Sequence, residues 1–424
     1  MSTAIEPPAA ALLGPYRVLD LSDERGTLCG RILASMGADV IKIEPPGGAP
    51  LRGRAPFYRD EPGPENSLAW WALEANKRSL TLDIGHEQGK ALLRRLALTA
   101  DFLIESFEPG FAASQGLGYN DLHALNPALV YVSITPFGQT GPRARWAASD
   151  VTIQAMSGHM YLNGEPDRSP VRLGVSAAYW HGGAEGAQGA MIAHHVRRRT
   201  GRGQHVDVSM QQAHIWTLLN TTMTWQLARR QEIRGGSRRK ERGHNYYSRH
   251  IWSCKDGAVH FVPIAGGGGK SRQHSYMQLM ELMKEDGFYE PFLDAKDWNG
   301  KDMFGITQVE YDAIAERIAS YFMTKTVAEL YDFAVNQQLL LAPLASTKDL
   351  LESRQLEDRE FFVDVYHPRL GKPFSYPGVF AKFSATPLAK PRPAPSVGEH
   401  TDEILGELGL TEREIVDLRA EGCV

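Results

Sequence analysis

Four glycines, a lysine and a serine in succession, Gly266-Gly-Gly-Gly269-Lys270-Ser271, are residues that could do chemistry. A glycine-rich turn between a strand and a helix can cradle a phosphate with its backbone N–H groups, and the lysine would reach the charge. The full spacing requires a glycine five residues before Gly269, and Ile264 stands there. No apolar strand ending in Asp follows to hold Mg²⁺, so the run reads as a flexible loop. His194 and His195 are adjacent on a helical stretch. They point about 100° apart and cannot ligate one metal, as a pair four residues apart can. The other histidines are scattered, and no metal site is expected. Cys29, Cys254 and Cys423 are odd in number and far apart, which gives neither a disulfide framework nor a metal pair. Cys29 sits in an apolar helical pattern and reads as a small buried hydrophobe. A Gly-x-Ser-x-Gly nucleophile turn is absent.

The elements that must position any site are clearer. Apolar runs at 16–21, 40–43, 102–104, 129–134 and 205–209 read as buried strands, and 79–83 alternates with period two. Helical spacing over 30–36, 87–98, 183–199 and 211–227 separates them, which means βαβ units and a parallel sheet. The 183–199 helix is rich in small residues and ends in Arg197-Arg-Arg199, as a helix C-terminus prefers. Composition shifts over residues 229–249, a basic, glycine-containing stretch with almost no aliphatics, and a domain boundary is placed there. That stretch is a solvated connector or a basic surface for phosphate or a partner subunit. Its Tyr246 and Tyr247 are too few for a base-stacking platform. Residues 250–264 predict a β-hairpin turning at Lys255-Asp256-Gly257. A helix-rich segment follows to about residue 335. Two strands are expected after Pro343, and a last helix over 411–421, where Thr411 and Glu414 make a capping box.

Composition sets the outer limits. The 424 residues suffice for two domains, and 42% hydrophobic with 23% charged residues is ordinary for a soluble globular chain. A net charge of −4 gives no argument for nucleic acid or membrane partners. The apolar runs are far short of a membrane span. The N-terminus lacks a basic segment followed by an apolar one, so a cytoplasmic location is expected.

Several short motifs in a fixed order then carry a family resemblance. They are Gly37-Ala-Asp-Val-Ile-Lys-Ile-Glu44, Asn76-Lys-Arg-Ser-Leu-Thr-Leu-Asp83, Phe107-Glu-Pro-Gly110 with Gly116-Leu-Gly-Tyr119, Asn126-Pro127, Phe137-Gly-Gln-Thr-Gly-Pro142, Thr200-Gly-Arg-Gly-Gln204 with Val206-Asp-Val-Ser209, Gly398-Glu-His-Thr-Asp402 and Leu408-Gly-Leu410. The chain resembles the class III CoA-transferases, the superfamily of formyl-CoA transferase, carnitine CoA-transferase and 2-methylacyl-CoA racemase. The likeness spans nearly everything except about 230–340. It implies an α/β fold with a large doubly wound parallel-sheet domain built from both termini, 1–228 and 343–424. A smaller α+β domain, 229–342, and an interlocked-ring dimer are implied as well.

The resemblance also implies CoA esters and carboxylic acids as substrates, with no covalently bound cofactor. In the family an Asp attacks the thioester carbonyl and passes through a mixed anhydride to an aspartyl thioester, chemistry suited to a carboxylate that is ionised at pH 7. At the matching position this chain has Tyr179. A phenol with pKa near 10 costs roughly 4 kcal/mol to ionise at pH 7. The matching CoA-binding positions are Lys77, Arg78, Ser106, Phe107 and Ser114. Ser106 replaces a customary Asn and Ser114 an Arg, and Ser149 replaces the racemase His. The glycine loop of the family precedes the small-domain hairpin, so Gly266–Gly269 are not equated with it. The expectation is therefore the non-catalytic half of a heteromer, with weakened CoA binding and an Asp-bearing paralogous subunit as partner, as in benzylsuccinate CoA-transferase. The alternatives are a stand-alone CoA-ester isomerase or lyase using Tyr179, His181 or Glu185, or a non-enzymatic CoA-ester-binding protein.

Overall fold

Six short strands with apolar side chains on both faces make one parallel sheet. In chain order the first elements are β1 (Arg17–Asp20), α1 (Thr27–Ser35), β2 (Asp39–Glu44), α2 (Leu68–Glu74), β3 (Arg78–Thr81), α3 (Glu87–Thr99), β4 (Phe102–Glu105), α4 (Phe111–Ser114), α5 (Tyr119–Leu125), β5 (Val130–Thr135), α6 (Asp150–Met156), α7 (Ala177–Thr200), β6 (His205–Ser209), α8 (Met210–Ile215) and α9 (Leu219–Ala228). The computed structural model describes residues 12–240, 246–263, 269–293, 306–386, 388 and 391–424. The sheet order is β3-β2-β1-β4-β5-β6, and every neighbouring pair is parallel.

Side-chain alternation sorts the strands' residues between two cores. Val18, Val40, Phe102 and Val132 pack with Leu33 of α1 and Ala190 of α7. Leu19, Ile41, Leu80 and Leu103 pack on the other face with Leu93 of α3 and the C-terminal Ile404. Both faces are covered, which is why the strands read as apolar runs. Each fully buried Leu or Ile contributes roughly 1.5–3 kcal/mol.

The long helix begins earlier than its small-residue pattern predicts, at Ala177 instead of 183. The Asp150 carboxylate explains the early start. Its Oδ1 accepts the N–H groups of Ala178 at 2.9 Å and Tyr179 at 3.2 Å, two donors that a helix start otherwise leaves without partners. Gly183 lets α7 lie against α1, since a Cβ there would stand 2.8 Å from the Leu28 Cβ. The helix predicted over 211–227 is broken into α8, a 3₁₀ turn and α9. Thr217 Oγ1 donates to the His214 carbonyl at 2.7 Å and competes with the helical ladder there.

The chain divides into two compact units, Met1–His159 with Arg172–Arg229 and Arg354–Val424, and Met160–Val171 with Arg230–Ser353. The second unit holds β7 (Arg238–Lys240), β8 (Tyr247–Arg249), β9 (Ile251–Ser253), β10 (Ala258–Phe261), α10 (Gly269–Glu285), α11 (Gln308–Phe322), α12 (Val327–Gln337), β11 (Leu341–Pro343) and α13 (Thr347–Leu351). Trp252, Phe261, Tyr276 and Phe322 form its core. The hairpin predicted at Lys255-Asp256-Gly257 is β9–β10, and β11 adds to its β10 edge. That pairing keeps the chain in the second unit past residue 342. Met160–Val171 joins this unit through Glu165, whose Oε1 accepts from Ser237 N at 2.9 Å. Gly269 opens α10, whereas residues 266–268 of the glycine run lie outside the described residues.

The first unit resumes with α14 (Arg354–Asp358), β12 (Phe362–His367), β13 (Lys372–Pro377), α15 (Thr401–Glu407) and α16 (Glu412–Ala420). The two strands expected after Pro343 are the antiparallel pair β12–β13. The Thr411–Glu414 capping box opens α16 as predicted. No helix among the described residues is long and apolar enough to cross a membrane.

Candidate functional site

In an open parallel sheet a ligand crevice forms at the carboxyl ends of two neighbouring strands whose chains leave in opposite directions. Here those strands are β1 and β4, since β2 and β3 lie on one side and β5 and β6 on the other. Asp23, after β1, donates its N–H to Ser106 Oγ, after β4, at 2.9 Å. Ser106 Oγ donates back to Asp23 Oδ1 at 2.9 Å. This reciprocal pair ties the loop Asp23-Glu24-Arg25 to the end of β4.

A buried charge cluster holds that loop from below. Lys77 Nζ donates to Asp20 Oδ2 at 2.7 Å and to Thr27 Oγ1 at 2.8 Å, and pairs with Glu74 Oε2 at 2.6 Å. Lys42 Nζ lies 3.7 Å from Asp20 Oδ1 and donates to the Ser22 carbonyl. Asp20 Oδ1 also accepts from Ser22 N at 3.0 Å. Burial works against the charge on Asp20, but Lys42 and Lys77 outweigh it and hold the carboxyl below its usual range. Gly30 of α1 leaves room for this cluster, because a Cβ there would lie 2.3 Å from Asp20 Oδ2.

Tyr179 lies on the first turn of α7 and is 6% exposed. Burial first, then the Glu24 carboxylate, push its phenol above the ordinary value, and Arg25 offsets only part of this. Glu24 is itself pushed up by burial, although Arg54 Nη1 stands 3.1 Å away. Burial opposes ionisation of Asp23 too, yet Arg25 holds its carboxyl below the usual range through a 2.9 Å hydrogen bond from Nε. Glu105, 3% exposed at the end of β4, is pushed up to about 7 by burial, despite hydrogen bonds from Ser133 and the Phe107 N–H. The phenol therefore sits among carboxylates and stays protonated at neutral pH. The Arg25 charge lowers the cost of ionising it, but not enough to outweigh burial and Glu24.

The sequence-predicted residues are placed as follows. Ser106 is buried and bonded to Asp23. Phe107 is half-buried and packs on Phe111 at 5.1 Å between ring centroids. Ser114 is exposed, and its hydroxyl donates to the Phe111 carbonyl at 2.7 Å. Lys77 is fully enclosed in the cluster below the loop. Arg78 opens the edge strand β3, at the amino ends of the strands and away from the crevice, where it pairs with Asp39, Glu403 and Glu407. Ser149 precedes α6 and its hydroxyl is 3.1 Å from Thr152 Oγ1.

Sequence reasoning missed the loop Asp23-Glu24-Arg25, Glu105 and the helix-capping role of Asp150. A run of charges directly after the first strand was the available signal. It also missed that three histidines far apart in the chain, His159, His181 and His214, come together beside α7 and α8. His194 is buried against Tyr16 and bonded to Arg197, and His195 points to solvent. Among the described residues no three His, Cys, Asp or Glu stand where they could hold a metal ion. All three cysteines are free and buried.

Comparison with known proteins follows the same line. The family model described as CoA-transferase family III matches residues 13–401. The succinyl-CoA:(R)-benzylsuccinate CoA-transferase subunit BbsE of Thauera aromatica is 34% identical over 410 residues, 96% of this chain and 97% of that protein. The succinate–glutarate CoA-transferase of Agrobacterium fabrum is 32% identical over 408 residues, 95% and 96% of the two chains. The crystal structure of a CAIB/BAIF family protein from Brucella suis superposes with a TM-score of 0.78 at 28% identity, covering 93% of this chain and 99% of that one. With the ordered motifs and the doubly covered parallel sheet, these matches show that the chain belongs to CoA-transferase family III.

Proposed function

We propose that this chain is the nucleophile-free half of a two-subunit CoA-transferase acting on CoA esters and carboxylic acids. An Asp-bearing paralogous subunit supplies the anionic oxygen, in an interlocked assembly in the cytoplasm. The observation that carries this reading is Tyr179, a phenol that burial first and Glu24 second push above its ordinary value, where the resemblance calls for a carboxylate. A neutral phenol cannot exchange through an anhydride as a carboxylate does. CoA binding by the lone chain is weak, because the Ser106 oxygen is committed to Asp23 and Ser114 carries no charge.

A second support is the surface of α9, which buries none of its residues while exposing Leu219, Met223, Trp225 and Leu227. Apolar patches of this kind mark protein–protein contacts. A relative 34% identical is named as a subunit. Succinyl-CoA stands in the name of the Thauera aromatica relative and is the donor to try first.

The test is transfer from succinyl-CoA to a panel of carboxylates by the purified chain, alone and mixed with an Asp-bearing paralogue from the same organism. Activity only in the mixture is expected. Robust transfer by the chain alone, abolished in Tyr179→Phe, would overturn the reading.

A further inference from the structure

Three imidazoles gather in the first unit from separate elements: His159 just after α6, His181 on the second turn of α7, and His214 on α8. His181 Nδ1 and His214 Nδ1 are 3.0 Å apart, so one donates and the other accepts. The ring of His159 lies 4.6 Å from that of His214, centroid to centroid. His214 is fully buried, whereas His159 and His181 are half-buried, so the cluster meets solvent on their side. Two nitrogens in it, His214 Nε2 and His159 Nδ1, are buried without a hydrogen-bond partner. Native interiors rarely leave such groups unpaired. The Nδ1 pair is spent on its own hydrogen bond, so the three rings do not converge on a metal.

We propose that His159, His181 and His214 form a carboxylate-binding subsite that takes up a proton when the anion enters. In the neutral His181–His214 pair the ring that donates through Nδ1 has no second N–H, so protonation supplies the donor that a carboxylate beside the cluster accepts. Without the anion, burial and then the repulsion of His159 and His181 keep His214 neutral, with its pKa down to about 4. Those two rings, from the loop after α6 and from α7, are the titratable groups that act on His214. A carboxylate beside the rings favours the charged form of one of them, as any opposite charge within about 4–6 Å does. The inference rests on the carboxylate-handling reading of the family but not on the need for a partner subunit. The carboxylate belongs either to the free acid or to the far end of a dicarboxylic acyl group on CoA.

The experiment is titration calorimetry of the whole chain at pH 7, in phosphate and in Tris, whose ionisation heats differ. Four probes are compared: succinate, propionamide, succinyl-CoA and acetyl-CoA. Two patterns support the subsite. Either succinate binds with a buffer-dependent heat that propionamide lacks, which assigns the free acid, or succinyl-CoA alone shows the extra proton uptake relative to acetyl-CoA, which assigns the acyl end. In either case His214→Gln and the more exposed His159→Gln each weaken binding of the positive probe about tenfold and abolish the buffer dependence. Heats that match across buffers for all probes, or unchanged binding in a folded His159→Gln, overturn the proposal. Loss of transfer activity in the mixture experiment with proton uptake intact would sink only the heteromer reading.

Discussion

Glu105 shows how one side chain at the crevice reports on its surroundings. Its carboxyl is pushed up to about 7 in the folded protein, against an ordinary 4.5. The folded state therefore holds a proton that the unfolded chain has released between those values. Stability falls as pH rises through that window, by about 3 kcal/mol, and levels off above it. Buried His214 has the opposite sign, because the unfolded chain binds a proton below pH 6.5 that the folded ring refuses down to about 4. Urea unfolding of Glu105→Gln against wild type from pH 5 to 8 separates the two. The variant's relative stability is expected to grow by about 3 kcal/mol with rising pH, and a pH-independent difference would contradict the assignment. At Tyr179 the sequence was informative only through the motifs around it. Spacing alone says nothing about how deeply a phenol is buried, and Glu24, which adds to the effect of burial on it, is 155 positions away in the chain. Tyr179→Asp is expected not to restore transfer to the lone chain, since Glu24 and Asp150 crowd the new carboxylate and Ser106 and Ser114 stay unchanged. Turnover by that single variant, read by succinyl-CoA consumption, would show an otherwise intact pocket.

Among the elements, the β1–α1 loop depends most on what lies beneath it. Asp20, Lys42, Glu74 and Lys77 are buried together, and the loop that carries Asp23, Glu24 and Arg25 stands on them. Removing one member of such a cluster leaves its partners charged and uncompensated, which costs about 3–5 kcal/mol. Lys77→Met is expected to lose that much in urea unfolding at pH 7, and a loss under 1 kcal/mol would remove the cluster from this role. The strands and α7 were legible because alternation and small-residue spacing are local patterns. The early start of α7 was not, since the carboxylate that caps it arrives from α6, about 28 residues upstream. The break between α8 and α9 was hidden for a similar reason. Apolar spacing continues through it, while a hydroxyl bond to one carbonyl interrupts the ladder.

At the scale of the whole molecule, the motif order made the family readable, and the paired cores of the sheet agree with it. The unit boundaries were less legible. Composition marks the basic stretch after residue 229, but nothing in it announces that β11 stays with the hairpin or that Met160–Val171 crosses to the second unit. The exposed apolar face of α9 bears on assembly. In the heteromer reading the partner subunit covers it, so Trp225→Ser with Leu227→Ser is expected to weaken association at least tenfold by sedimentation. Unchanged association would place the partner elsewhere. The claim beneath all of this is that no acyl group becomes attached to this polypeptide unaided. The most direct measurement is intact mass spectrometry of the pure chain after incubation with succinyl-CoA and an acid quench, with no added nucleophile or reductant that would strip an acyl ester. The account predicts an unmodified mass for the chain alone and a modified Asp on the partner when both are present. A covalent adduct on the isolated chain, whichever oxygen carries it, would contradict it.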